Sequence, residues 1–79
     1  MQNFRVVATY TYPFEYAILK AKLQEEGIPH IFENETMIQV APFYSNALGG
    51  IHLKVHEDYV DYVKQLITDF NNSSPLNIV

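Results

Sequence analysis

The segment from Ile51 to His56 alternates strictly between apolar and polar side chains, and this alternation constrains the fold more than any other feature of the chain. The apolar set is Ile51, Leu53 and Val55, and the polar set is His52, Lys54 and His56. Successive side chains of a β-strand point to opposite faces of the sheet. The segment therefore predicts a strand with one face on a core and the other toward water.

A first strand is predicted near the N-terminus, because the stretch from Phe4 to Tyr10 is rich in β-branched and aromatic residues. Simple alternation divides it into Phe4, Val6, Ala8 and Tyr10 on one face and Arg5, Val7 and Thr9 on the other. Both sets contain apolar groups. This favours a central position in the sheet over an edge.

The segment that follows predicts a helix from about Pro13 to Glu26, with Thr11 as its N-cap and the proline in the tolerant first turn. Its end has a sharper signal. Gly27 can adopt the left-handed conformation that closes a Schellman motif, and Ile28 would then contact Leu23 one turn earlier.

This helix carries apolar side chains on two sides. One set is Tyr16, Leu19 and Leu23, and the other is Phe14, Ala17, Ile18 and Ala21. One set can face the sheet. The second packs on a neighbouring helix or loop, or it contacts a partner, and the sequence leaves both alternatives open.

The middle of the chain predicts a second strand from Ile28 to Glu33 and a turn at Asn34-Glu35. A weak alternation from Met37 to Ala41 favours a short third strand. The segment Pro42–Gly50 contains proline, serine, asparagine and paired glycines, so it is predicted to be the longest irregular loop.

A second helix is predicted from about Glu57, where two acidic residues suit the positive end of the helix dipole. Its apolar positions are Tyr59, Val63, Leu66, Ile67 and Phe70. The breaker that follows limits a single domain to residues 1–71. Residues 72–79 form a tail that can add a short edge strand.

The order strand, helix, strand, strand, an optional strand and helix predicts an α+β, ferredoxin-like two-layer sandwich. One face of its sheet would be open, with Val7, Ile31 and Val40 as candidates to lie on it. An apolar open face on a 79-residue domain is a natural place for a second subunit, so a homo-oligomer or another protein partner is expected.

Composition narrows the classes of function. The net charge is −4 and the five fixed cations do not cluster, which argues against nucleic acid as a partner. The chain has no cysteine, which rules out disulfides and thiolate metal sites. Because no signal peptide and no apolar run of about 18 residues is present, we predict a cytoplasmic protein without a membrane span.

No catalytic residue, metal site or cofactor is predicted. His52 and His56 are four positions apart in a strand, about 13 Å, which is too far for two ligands of one ion. His30 could approach His52 across the sheet, but two imidazoles alone make a poor site. The acidic residues fall mostly on helix surfaces and turns, away from an opposed carboxylate.

The best candidate for binding a ligand or partner is the loop before the last strand. Its candidate residues are Tyr44, Ser45, Asn46, Gly49 and Gly50, which offer hydroxyl and amide groups beside apolar neighbours. The two glycines can supply positive φ at a turn or allow a backbone to approach a ligand closely. The alternative is that they have a structural role only.

Several stretches together resemble a known bacterial family. They are Pro13-Phe14-Glu15, the helix end from Leu23 to Pro29, Glu33-Asn34-Glu35, the run from Tyr44 to Gly50, and Leu53-Lys54-Val55. The family is described as prokaryotic signal transducing proteins, a domain of unknown function, and the resemblance covers about residues 6–66. It implies a ferredoxin-like fold related to nitrogen-regulatory PII proteins, and it implies no established reaction.

These observations favour a non-enzymatic regulatory or adaptor module that acts in signal transduction by protein contact. The alternative is a domain that senses a small ligand through the 42–50 loop.

Overall fold

Strand β3 (Ile51–His56) lies between two others in the computed structural model, which describes residues 3–72. It pairs antiparallel with β1 (Phe4–Tyr10) on one side and with β2 (His30–Glu33) on the other. β1 and β2 are therefore parallel to each other. The three apolar side chains of β3 are fully buried, so the predicted alternation is confirmed.

Within residues 3–72, β1 lies at an edge of the sheet, so the prediction of a central position is wrong there. The predicted strict alternation of side chains along β1 is also wrong. The pairing passes from Val6 opposite Lys54 directly to Ala8 opposite Leu53, which makes Val7 the extra residue of a β-bulge. As a result Val7 and Ala8 both pack against the core.

The face of the sheet away from the core differs from the predicted one. Directly opposed residues of an antiparallel pair share a face, so Val6 and Ile31 lie on this face beside Lys54. Ile31 was predicted there, but Val7 packs on the other side and Val40 belongs to a helix. An ion pair of 2.9 Å between Lys54 and Glu33 adds charge to this face.

The first helical segment begins with a 3₁₀ turn (Pro13–Tyr16) and continues as α1 (Ala17–Glu25). The N-cap is Tyr12, one residue later than the predicted Thr11. The Glu15 carboxylate accepts hydrogen bonds of 2.7 Å from the backbone N–H groups of both residues. This carboxylate satisfies donors that would otherwise lack partners at the helix start.

The predicted end of α1 is confirmed. Gly27 has a φ of 67°. Its N–H donates to the carbonyl of Gln24 at 3.2 Å, and the N–H of Ile28 donates to the carbonyl of Leu23 at 3.0 Å. These are the two hydrogen bonds of a Schellman motif, and the side chains of Ile28 and Leu23 are both buried.

The predicted third strand, from Met37 to Ala41, is wrong because this segment forms helix α2 (Glu35–Val40). The N–H of Ile38 donates to the carbonyl of Asn34, and that of Ala41 to Met37, four residues earlier in each case. Asn34 has a φ of 75° and reverses the chain directly after β2. Ile38 is the one buried residue of this helix. The weak alternation of the sequence from Met37 to Ala41 did not reveal this helical pattern of burial.

The segment predicted as a long irregular loop is also helical. It forms a 3₁₀ turn (Pro42–Tyr44) followed by the short helix α3 (Ser45–Leu48). Gly49 and Gly50 then connect this helix to β3 with φ values of 77° and 89°. The positive φ predicted for the glycine pair is confirmed.

The last helix begins near Glu57, as predicted, with a 3₁₀ turn (Glu57–Tyr59) that continues as α4 (Val60–Asn72). The Nδ1 atom of His56 accepts a hydrogen bond from the N–H of Asp58 and caps this start. Val63 is fully buried, and Leu66, Ile67 and Phe70 pack against the core. Asn72, the first residue of the predicted 72–79 tail, still belongs to α4, and the edge strand suggested for the tail falls on residues that lie outside the described ones.

The helices cover one face of the sheet around a single core. It consists of Tyr16, Leu19, Leu23, Ile28, Ile38, Ile51, Leu53, Val55 and Val63. The result is a small α+β fold with a three-stranded antiparallel sheet and, within residues 3–72, four α-helices. None of these helices has the length and apolar character needed to cross a membrane.

Candidate functional site

A cleft of about 300 Å³ lies where the end of β1 meets the turn between α3 and β3. Its lining consists of Thr9, Tyr10, Thr11, Ser45, Asn46, Gly49 and Gly50. Four of the five residues predicted to bind a ligand or partner are therefore adjacent in space.

Backbone contacts fix the shape of this cleft. The N–H of Gly50 donates to the Ser45 carbonyl at 2.8 Å, and the N–H of Gly49 donates to the Asn46 carbonyl at 3.3 Å. Gly50 also lies against β1, because a Cβ atom there would be only 2.7 Å from the carbonyl oxygen of Tyr10. The turn and the strand end therefore form one continuous wall.

The side chains of the predicted site residues have different roles. The buried Ser45 hydroxyl donates to the Thr11 carbonyl at 3.1 Å, so it joins α3 to the end of β1. Asn46 is exposed and lines the cleft. Tyr44 ends the 3₁₀ turn before α3, and its side chain is outside the described part of the chain.

Asn34 supports the same turn from the other side, and the sequence did not identify it. Its side-chain amide donates to the carbonyls of Gly50 at 3.1 Å and Leu48 at 3.4 Å. Asparagine also tolerates the left-handed backbone found here better than most residues. The signal available in the sequence was an asparagine directly after a predicted strand.

The lining of the cleft is polar and uncharged. The lining residues are threonine, serine, asparagine, tyrosine and glycine, and none of them carries a charge. Burial, and then the nearby Glu15 carboxylate, raise the pKa of Tyr10, so its phenol stays neutral at physiological pH. This chemistry suits a small neutral molecule with hydroxyl or amide groups.

A second candidate surface is the outer side of the first helical segment. We define the α1 stripe as Phe14, Ala17, Ile18 and Ala21. All four residues are exposed, and the large ones strongly so, with Phe14 78% and Ile18 76% exposed. The Tyr12 ring stacks on Phe14 with 5.7 Å between the ring centres. Packing on a neighbouring helix or loop, one of the two predicted alternatives, is therefore wrong within residues 3–72.

A half-buried polar cluster joins the first helical segment to α2. The Tyr16 hydroxyl donates to the Glu35 carboxylate at 2.5 Å, and the Lys20 ammonium donates to both carboxylate oxygens at 3.0 Å. The Tyr16 ring stacks on Phe32 with 4.0 Å between ring centres. The sequence did not reveal this cluster, because its members come from three separate elements.

The cluster perturbs the ionisation of both of its acids. Burial opposes ionisation of Glu35, but the hydrogen bonds from Tyr16 and Lys20 outweigh it and lower the pKa of this carboxyl. Burial, and then the hydrogen bond to Glu35, raise the pKa of the Tyr16 phenol far above its usual value. The cluster therefore contains a carboxylate and a neutral phenol over the physiological pH range.

We expect the replacement Glu35→Gln to flatten the acid limb of the stability curve. The folded-state pKa of Glu35 lies below its unfolded value, so its contribution is present above about pH 4.5 and disappears as the pH falls through the folded pKa. At pH 7 the loss of its charged hydrogen bonds should cost about 1.5–3 kcal/mol. Urea unfolding between pH 3 and about pH 7 measures this change.

The control for this measurement is Glu25→Gln, which changes an exposed carboxylate and should keep the wild-type slope. Part of the slope should also persist in Glu35→Gln. It arises from Glu26 and Glu33, because hydrogen bonds from Tyr62 and Lys54 lower the pKa of these carboxyls. An unchanged acid limb in Glu35→Gln would contradict the geometry of the cluster.

The histidines do not come together. His30 pairs with Val55 on the core side of the sheet, whereas His52 pairs with Thr9 on the opposite side, so the suggested approach of His30 to His52 is wrong. Within residues 3–72, no group of three histidine, aspartate or glutamate side chains is placed to hold a metal ion.

Comparisons of this chain with protein-family models, with curated proteins and with solved structures find no match. The resemblance to prokaryotic signal transducing proteins therefore depends on the sequence motifs alone and stays a prediction.

Proposed function

We propose that this chain is a non-enzymatic regulatory or adaptor module that acts by binding protein through the α1 stripe. The observation that carries this proposal is the exposure of Phe14 and Ile18 on a helix whose opposite side lies in the core. A helix at the surface of a globular domain normally exposes polar residues there. The large apolar side chains on this outer side need another explanation.

Energetics support a binding role for this surface. Full burial of a phenylalanine or isoleucine side chain is worth about 1.5–3 kcal/mol, and the stripe offers one of each beside two alanines. Small side chains between large ones let another backbone approach closely. Contact with a protein would recover free energy that the isolated chain does not gain.

Signal transduction is part of the proposal through the family resemblance and its motifs. The same resemblance underlies the proposal of a ferredoxin-like sandwich. The placement of β3 between the parallel strands β1 and β2 supports this proposed fold. We also propose a cytoplasmic location and a homo-oligomeric state. Both proposals rest on the sequence alone.

A photo-crosslinking residue tests the interaction function. Placed at Phe14 in the full chain and activated in cells, it should give covalent protein adducts, and the additional change Ile18→Asp should abolish them. The matched control carries the same residue at Val40, which is 81% exposed but belongs to α2. Adducts of equal yield at both positions, or none at Phe14, would reject the α1 stripe as a binding surface.

The second candidate function is the sensing of a small neutral polar ligand, and the cleft beside Asn46 specifically favours it. In a thermal-shift panel of nucleotides, amino acids and sugars, a ligand at 100 times its dissociation constant should add about 2.7 kcal/mol to stability. The change Asn46→Ala should remove that gain and leave the stability of the unliganded chain intact. No shift across the panel would argue against sensing.

A further inference from the structure

The His52 ring lies at the rim of the cleft between the end of β1 and the turn before β3. Thr9, which lines the cleft, is directly opposite His52 in the pairing of β1 with β3, so the two side chains share one face of the sheet. Gly49 also lines the cleft, and a Cβ atom there would be 3.6 Å from the Nε2 atom of His52. Two lining residues from different elements therefore place this imidazole beside the cleft.

The hydrogen-bonding capacity of His52 is unused within residues 3–72. Each of the other two histidines has a partner, because Nδ1 of His30 bonds to the carbonyl of Ile28 and Nδ1 of His56 accepts from a backbone N–H. The half-buried His52 ring forms no such bond in the described part of the chain. Its ring nitrogens can donate or accept a hydrogen bond. They are therefore available to a molecule in the cleft.

The charged groups near the cleft are already paired within the chain. Glu33 is opposite His52 on β2, but its carboxylate binds the Lys54 ammonium at 2.9 Å. Glu15, next to Thr11, accepts hydrogen bonds from two backbone N–H groups. The lining itself carries no charge. An ion would lose hydration there without gaining a counter-ion, and a neutral molecule avoids this cost.

The volume of the cleft limits the ligand further. About 300 Å³ is at the small end of the range for ligand sites and equals the liquid volume of roughly ten water molecules. Hydroxyl and amide side chains, such as those of Thr9 and Asn46, can both donate and accept hydrogen bonds. A small molecule with several adjacent hydroxyl groups matches this lining, because each of its hydroxyls also does both.

We infer that the ligand of the cleft is a neutral sugar of pentose or hexose size, and that His52 binds it from the rim through a ring nitrogen. This inference rests on the second candidate function, the sensing of a ligand in the cleft. A sugar of this size has about ten to twelve non-hydrogen atoms, which suits the volume of the cleft. The helices cover the other face of the sheet, so within residues 3–72 they leave His52 accessible to the ligand.

Imidazole NMR of the full chain tests this inference, because only three histidines contribute signals. Glucose and ribose are the probes, titrated at millimolar concentration. At least one of them should shift the His52 signals saturably and leave those of His56, four positions along the same strand, in place. The charged relatives glucuronate, glucosamine and ribose 5-phosphate should bind at least tenfold more weakly than the neutral sugar.

Variants of the histidines test the contact itself. His52→Leu should weaken sugar binding about three- to tenfold, as expected for one hydrogen bond between neutral groups. His52→Gln should restore most of the affinity, because its amide can also donate or accept. The matched control, His56→Leu, removes the cap of the last helix but should leave the affinity unchanged. Both His52 variants should keep the wild-type midpoint in urea, since this ring forms no hydrogen bond within residues 3–72.

The inference and the function on which it rests fail in different ways. If Asn46→Ala weakens sugar binding and His52→Leu does not, the role of His52 is overturned and sensing stands. A charged relative that binds as tightly as the neutral sugar, or a response to amino acids or nucleotides alone, would overturn the ligand class only. If no compound of the panel binds, the sensing function fails together with the inference.

Discussion

Replacement of Gly50 by alanine should destabilise the fold by about 3–5 kcal/mol. Two effects add at this position. The backbone φ of 89° is strained for any residue with a Cβ atom, and that atom would lie 2.7 Å from the carbonyl oxygen of Tyr10 and 3.1 Å from a methyl group of Thr9. Because the first contact is with backbone, β1 and the turn would have to separate.

The matched control is Gly27→Ala. Gly27 has a similar φ of 67°, but a Cβ atom there would have no neighbour within 4 Å. The control should therefore cost only the conformational strain, about 1–2 kcal/mol. Urea unfolding of both variants separates strain from collision, and equal losses would contradict the close approach of Gly50 to Tyr10. Folded domains have a total free energy of unfolding of about 5–15 kcal/mol, so the loss expected for Gly50→Ala is a large share of the stability.

Replacement of Ile38 by alanine is the second change expected to have a large effect, with a loss of about 2–5 kcal/mol. Ile38 is fully buried in the core and comes from α2, the segment that the sequence predicted to be a strand. Truncation leaves a cavity beneath a helix that is only six residues long. We expect a lower midpoint in urea with an unchanged dependence on denaturant.

The variant Val40→Ala tests whether this segment forms the helix α2 or the strand that the sequence predicted. In a strand, Ile38 and Val40 would share a face and both truncations would be costly. In α2, Val40 is 81% exposed, so its truncation should change stability by less than about 0.5 kcal/mol. Similar losses in the two variants would favour the strand.

The parts of the fold that the sequence predicted well depend on local signals. The end of α1 needs only Leu23, Gly27 and Ile28, which are neighbours along the chain. The alternation of β3 is likewise contained within six residues. In both cases the tertiary contacts reinforce what the local pattern already favours.

The errors fall where contacts between distant segments decide the structure. Helix α2 contacts the first helical segment through Glu35, which binds Tyr16 and Lys20. These two residues lie 19 and 15 positions earlier in the chain. The bulge at Val7 is defined by its pairing with β3, more than forty positions later in the sequence. Neither relation can be recognised from periodicity within one segment.

The candidate site shows the same division. The turn chemistry of Gly49 and Gly50 was readable from the sequence, since paired glycines before a strand indicate positive φ. The support from Asn34 and the contact of Gly50 with Tyr10 depend on how β1, β2 and the turn assemble. The outer side of α1 was visible as an apolar pattern, but only the packing of the other elements shows that they leave it exposed.

The bulge in β1 has a consequence for how copies of this chain can meet. A long, regular edge strand can act as a template on which strands from other molecules add without limit. At Val7 the extra residue bends the strand and interrupts the regular spacing of its backbone donors and acceptors. Growth of a sheet from molecule to molecule is thereby discouraged at this edge.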